Sequence, residues 1–209
     1  MAAGHRGDDA LLAIVSAQPR RYQSVMHVKG TAYHARLKLL ATRWEQERIE
    51  AFVADFQRRN PHFPTHVLPT SWLPMGPFLE LIDEIVEKAY DGDVESLWEI
   101  GEASARWSMT EGPYKGLVGS KDLHRFASLA QVMFSNFFDL GAARGTYDGK
   151  CIDIRISGVP EAYHHPYFEY ATIGYFRGGL RLLGFPFRTE RILGFTKGDG
   201  EVHYRLHVQ

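Results

Sequence analysis

The stretch from Tyr163 to Val208 limits the fold more than any other, because it reads as one continuous unit: a helix, a turn and a closing hairpin. His165-Pro166 opens the helix, Gly184-Phe185-Pro186 ends it, and Lys197-Gly198-Asp199-Gly200 turns between two alternating runs. The polar stripe of that helix is reduced to Tyr170, Gly174, Arg177 and Arg181, the pattern of a helix buried on most sides. Gly174, Gly178 and Gly179 would each cost about 1 kcal/mol against alanine in an exposed helix. Their presence predicts a close approach by other backbone or by a ligand.

A second hairpin precedes this unit. Arg144 to Tyr147 and Lys150 to Ser157 flank Asp148-Gly149, and Ile152, Ile154 and Ile156 alternate with Cys151, Asp153 and Arg155. Adding strands Arg188 to Phe195 and Glu201 to Val208 gives four antiparallel strands with one apolar face. The class predicted is α+β: a helical N-terminal lobe, residues 29–140, on a C-terminal sheet lobe with a buried helix, residues 141–209. One domain over residues 23–209 is expected, after a loosely ordered 1–22.

In the helical lobe, an extended piece at Gln23 to Val28 leads to a helix capped by Thr31, whose face carries Tyr33, Leu37, Leu40 and Trp44. Ile49, Phe52, Val53 and Phe56 mark a second helix, stopped at Asn60-Pro61. Five prolines between Pro61 and Pro77 predict a stiff extended connection. Next come a helix with Phe78, Leu81, Ile82, Ile85, Val86 and Ala89 inside, and another, capped by Asp93, over about Val94 to Met109. The latter puts Gly101, Ser104, Ala105 and Ser108 where large residues normally pack, so either another helix comes very near or a cavity opens there. Thr110 to Gly119 reads as a glycine-rich loop, and Asp122 to Leu140 as one long helix.

Composition removes several function classes. Twenty-four basic against twenty-five acidic residues leave no electrostatic footprint of a nucleic-acid binder. No run approaches the roughly 18 apolar residues of a membrane helix. Ala10 to Ala17 is apolar, but Asp8 and Asp9 stand where a signal peptide wants positive charge. The solitary Cys151 rules out an internal disulfide and fits a reducing compartment, so a cytoplasmic protein is expected.

No catalytic or nucleotide-binding motif of the G-x-S-x-G, G-x-x-x-x-G-K-[ST] or G-x-G-x-x-G type is present. His62 and His66 are separated by Pro64, and His203 and His207 lie about 13 Å apart along a strand, so neither pair is placed for one metal ion. Glu80, Asp83, Glu84 and Glu87 line a solvated helix face, and Cys151, without a partner cysteine, is read as incidental.

The order of elements resembles the H-NOX fold of haem nitric-oxide sensors and its relatives, the four-vinyl-reductase and TRAPP transport-particle domains. The resemblance is carried by Lys29-Gly30-Thr31 opening an N-terminal helix, Leu97-Trp98-Glu99-Ile100-Gly101 opening a middle one, and the helix-plus-hairpin finish. Val28-Lys29-Gly30, Leu68-Pro69-x-Ser71-Trp72-Leu73-Pro74 and Gly174-x-x-x-Gly178 to Gly184 also resemble a family of myxobacterial paralogues of about 200 residues with no assigned activity.

Carried over residue by residue, the resemblance implies no haem. Met133 stands where the H-NOX proximal histidine belongs, His124 is nine positions early, and Ile154-Arg155-Ile156-Ser157-Gly158 offers no Tyr-x-Ser-x-Arg propionate clamp. The cysteine cluster some four-vinyl-reductase relatives use for zinc is missing as well. The expectation is a non-enzymatic domain without cofactor or metal that binds a small apolar ligand between its lobes or signals through a protein partner. Trp98, Gly101, Ser104, Met133, Phe137 and Tyr170 are its candidate lining residues. A haem gas sensor and a structural assembly subunit are the competing classes, and unprotected edges of the terminal sheet invite a homodimer.

Overall fold

The computed structural model describes residues 25–209, so the readings of residues 1–22 and of Ala10 to Ala17 lie outside the described residues. The fold is α+β. Strand β1 (His27–Lys29) pairs antiparallel with β2 (Trp72–Pro74), the one ordered strand within the proline-rich connection. Helix α1 (Gly30–Leu40) follows β1 directly.

Thr31 does not cap α1: the helix starts at Gly30, with Lys29, two residues before Thr31, in the cap position, and has no side-chain cap. Its orphan amides turn to the connection instead: Gly30 N donates to Ser71 O at 2.8 Å and Thr31 N to Pro69 O at 3.0 Å. A Cβ on Gly30 would collide with the Leu68 carbonyl, and Lys29 Nζ lies 3.9 Å above the Trp72 ring. The Val28-Lys29-Gly30 and Leu68-to-Pro74 motifs are thus two halves of one clasp.

Helices α2 (Gln46–Arg59) and α3 (Met75–Ala89) bury the faces expected of them, Ile49, Phe52 and Phe56 in one, Phe78, Leu81, Ile82 and Ile85 in the other. Asp93 caps as predicted, accepting from Glu95 N at 2.9 Å, but it opens a short 3-10 turn that feeds α4 (Leu97–Thr110). The supposed glycine-rich loop contains a helix, α5 (Lys115–Ser120), held by buried Leu117. The single helix predicted from Asp122 to Leu140 is two, α6 (Leu123–Ser128) and α7 (Ala130–Ser135), broken at Leu129. The break lets both pieces lie on β3 (Ala142–Tyr147), whose Gly145 approaches the Ala127 carbonyl so closely that no side chain would fit.

Strands β3, β4 (Cys151–Ser157), β5 (Phe187–Leu193) and β6 (Val202–Val208) form an antiparallel sheet in the order β3-β4-β6-β5. Ile152, Ile154, Ile156, Val202, Tyr204 and Leu206 are buried on one face. The last helix runs from Pro166 through a π-helical turn at Phe168–Thr172 into α8 (Ile173–Leu183). Gly184, at φ 85°, ends it, with Phe185 N donating to Leu180 O at 3.1 Å.

Helices α4 and α8 meet backbone to backbone. A Cβ on Gly174 would lie 2.9 Å from Trp98 O, and one on Gly178 2.8 Å from Glu102 Cα. Two of the glycines singled out in the sequence, Gly174 and Gly178, are therefore where α4 passes through the space a side chain would fill on α8, whereas Gly179 makes room for the Phe126 ring.

At the start of the last helix, His165 Nε2 donates to Asp83 Oδ1 at 3.0 Å, and Tyr167 N donates to His165 Nδ1 at 3.1 Å, which requires a neutral ring. Burial lowers its pKa below the ordinary 6.5, with Asp83 pulling the other way. A lowered folded pKa means the unfolded chain takes the proton first, so this contribution is complete above pH 6.5 and is lost as pH falls through the folded value. Wild-type stability should therefore fall more steeply from pH 7.5 to 5.5 than that of His165→Gln. The extra slope is at most about 1.4 kcal/mol per pH unit for one proton. Parallel denaturation profiles of the two proteins would refute this.

Candidate functional site

Two spaces adjoin Ser104. The larger is a groove of about 510 Å³ between α1 and α4. Thr31, His34, Ala35, Lys38 and Leu39 line it from α1, Ala103, Ser104, Arg106 and Trp107 from α4, and Pro69 and Phe137 close it. Ala35 and Ala103, facing each other across it, present almost nothing to fill the gap between the two helices. Its walls are mostly apolar, with Lys38, Arg106 and Glu111 as its charged members. His34 is engaged elsewhere, donating Nε2–H to Val67 O at 2.7 Å.

The smaller space, about 30 Å³, lies deeper among Arg36, Ser104, Met133, Phe134, Phe137 and Tyr167, with Tyr175 and Phe176 behind them. Ser104 and Phe137 line both spaces. Rings fill this region: Phe134 and Phe138 have centroids 4.7 Å apart, Phe138 and Phe168 5.2 Å, and Phe137 and Tyr175 6.0 Å. Ser108 Oγ and the Tyr175 hydroxyl are 2.6 Å apart, and burial pushes the Tyr175 phenol well above its ordinary value.

Arg36 is the unexpected member. It is 4% exposed, donating Nη1–H to Ile100 O at 2.9 Å and Nη2–H to Ser104 Oγ at 3.0 Å. Its Nε is buried without a partner, and among the described residues no carboxylate lies within salt-bridge distance of it. Every neutral acceptor it has belongs to α4, so the guanidinium pins α1 to α4 at the floor of the groove.

Of the six residues named from the sequence, Ser104 and Phe137 line both spaces and Met133 the smaller one. Gly101 faces α8, where a Cβ would lie 2.7 Å from Tyr175 N. Trp98 and Tyr170 sit farther along, over the sheet: Trp98 packs edge-on against Tyr170 at 5.1 Å and Tyr204 at 5.8 Å, with the Arg177 guanidinium 4.0 Å above its ring. The small-residue stripe of α4 therefore does both things allowed for it, close packing on α8 through Gly101 and Ala105 and an opening toward α1 at Ser104.

On the far face of the sheet, Cys151 is less isolated than its sequence suggests. Its Sγ lies 3.2 Å from His207 Nδ1, and His207 Nε2 lies 2.6 Å from Glu190 Oε2. The hydrogen bond to His207 holds the Glu190 carboxyl below its usual range. This thiol, imidazole and carboxylate span β4, β6 and β5, and none of them lines either space. Their first role is to tie three strands together. His203 is likewise tied, its Nε2 2.7 Å from Asp153 Oδ1. Among the described residues no group of three or more histidine, cysteine or acidic side chains is placed to hold a metal ion, and no helix is long and apolar enough to cross a membrane.

No protein-family model matches the chain. Nor does any curated protein. Solved structures do match. An H-NOX protein from S. oneidensis in its Fe(II)NO ligation state superposes with a TM-score of 0.64 at 9% identity, over 87% of this chain and 99% of that one. The SO2144 H-NOX domain from Shewanella oneidensis in its Fe(II)CO state gives 0.63 at 11% identity, over 87% and 98%. The Fe(II) unliganded H-NOX protein from K. algicida gives 0.60 at 12%, over 87% and 96%. At these identities the likeness establishes the H-NOX fold and nothing about chemistry.

Proposed function

We propose that this protein is a non-enzymatic ligand-binding domain that takes a small, largely apolar molecule in the groove between α1 and α4 and passes the event to a protein partner. The observation that carries the reading is the groove itself, whose 510 Å³ falls within the roughly 300–1,000 Å³ of small-molecule sites. A ligand there touches α1 and α4 together, and α4 is locked to α8 through Gly101, Gly174 and Gly178, so a shift of α4 is felt at the sheet. Such a domain suits the cytoplasm, where the lone Cys151 stays reduced.

The H-NOX structures above hold Fe(II), and the residues here do not fit a haem. The space beside Met133 is about 30 Å³, an order of magnitude below a cofactor site, and no histidine lines it. Four phenylalanines and two tyrosines fill the region between the lobes. Haem-supplemented expression is expected to give protein with no stoichiometric Soret band. A Soret band that Met133→Ala abolishes would restore the gas-sensor class.

The groove is tested by filling it. Ala103→Trp places an indole in the open space beside Trp107, and it is expected to weaken binding of a neutral apolar fluorophore at least tenfold with little change in denaturation midpoint. Wild-type protein that binds no such fluorophore would remove the ligand-binding class and favour an assembly subunit, for which light scattering would then have to show a stable dimer.

A further inference from the structure

The groove reading says where a ligand lies; Arg36 says what kind. We propose that the ligand is an amphipathic anion, an apolar body carrying one carboxylate, and that Arg36 receives the carboxylate. The inference rests on the groove being a ligand site and extends it to ligand class.

A guanidinium carries five N–H donors in a fixed fork and is always charged. At 4% exposure, Arg36 has the Ile100 carbonyl, the Ser104 hydroxyl and the Tyr167 ring 5.8 Å away, all neutral, and its Nε is buried with no hydrogen-bond partner. The other strongly buried side chain of fixed charge type among the described residues, Glu169, is paired, with Arg191 at 3.0 Å. A buried ion without a counter-ion is unfavourable, and a fold keeps one where something else supplies the opposite charge.

The space beside it fits a head and not a body. At roughly 10–15 Å³ of such space per water, about 30 Å³ takes two water-sized groups, the number of oxygens a carboxylate brings. That space and the groove share two walls, Ser104, whose Oγ accepts from Arg36, and Phe137. A ligand body against Leu39, Trp107 and Phe137 can pass its carboxylate over Ser104 to the unused donors of Arg36, where a two-oxygen acceptor matches the fork. Lys38 and Arg106 also line the groove, with Glu111 beside them, but they carry no buried unpaired donor. They are the alternative receivers that the test must separate.

The full chain would be titrated calorimetrically with 4-phenylbutanoate, 4-phenylbutanol and 4-phenylbutylamine. The carboxylate is expected to bind at least tenfold tighter than the alcohol, and the amine weaker than both. Arg36→Met should abolish the preference for the carboxylate over the alcohol, read as the ratio of the two dissociation constants; Lys38→Met/Arg106→Met should keep the preference. Should Arg36→Met fail to fold, Arg36→Lys, which keeps charge but loses the fork, must reduce the carboxylate-over-alcohol preference at least threefold. Equal binding of alcohol and carboxylate to wild type would overturn the anion inference and leave the groove reading standing. A preference that survives loss of the Arg36 fork would overturn it too. Binding of neither compound would overturn both.

Discussion

Gly101→Val is expected to destabilise the protein by about 3 kcal/mol or more, read as a lowered denaturation midpoint at unchanged slope. A Cβ at Gly101 would stand 2.7 Å from Tyr175 N and 2.8 Å from Gly174 C, and it would also meet the Ala171 carbonyl. All three are backbone atoms of the facing helix, so no rotamer change relieves the clash. Either α8 moves as a body or the helix pair separates. Alanine there gains about 1 kcal/mol of helix propensity over glycine but meets the same atoms, so Gly101→Ala should still be destabilising, by roughly 1–2 kcal/mol. A Cβ at the reciprocal positions Gly174 and Gly178 would meet α4 at 2.9 and 2.8 Å, so substitutions there should behave alike. A Gly101→Val protein within about 0.5 kcal/mol of wild type would mean that α4 and α8 are not locked together, and the route from groove to sheet would lose its mechanical basis.

How much of this was legible beforehand varies by element. The sheet was legible because Ile152, Ile154 and Ile156 repeat with period two beside the Asp148-Gly149 turn, and β4 buries those three residues. The α4 stripe was legible as a stripe, but its composition alone does not tell which small residue meets a helix and which borders an opening; that depends on α8 lying at Gly101 and α1 at Ser104. Strand β2 and the break at Leu129 were hidden for one reason: both exist to serve a partner distant in sequence, β1 in one case and Gly145 of β3 in the other.

Arg36 was the costliest omission. It shares a face with Tyr33 and Leu40, which are buried, yet an arginine between them reads as the start of the solvent side. The available signal was its place at i+3 from Tyr33 and i−4 from Leu40 on a helix with little else polar on that face. The Cys151, His207 and Glu190 cluster offered no local signal, since it appears only once Cys151 is known to pair with His207 and β5 to lie beyond β6.

Glu169→Leu is expected to cost about 3–5 kcal/mol. Glu169 is 0% exposed, and its carboxylate serves three donors: Arg191 Nη1 at 3.0 Å and Thr196 Oγ1 at 2.9 Å on Oε2, and Thr196 N on Oε1. It thereby joins the π-helical turn, which carries Ala171 and Thr172 at the edge of the deeper space, to the turn linking β5 and β6. Leucine fills similar volume but strands a partly buried guanidinium and a backbone amide, and stranded donors are the expensive outcome. Arg191→Leu should cost at least as much, because it leaves the fully buried carboxylate unpaired. The double variant should recover part of the sum, since with both ions gone only the Thr196 donors remain unmet. Denaturant titration of the three proteins measures the coupling. Single losses below about 1 kcal/mol, or strict additivity in the double variant, would mean that the carboxylate is solvated and does not tie the helix to the hairpin.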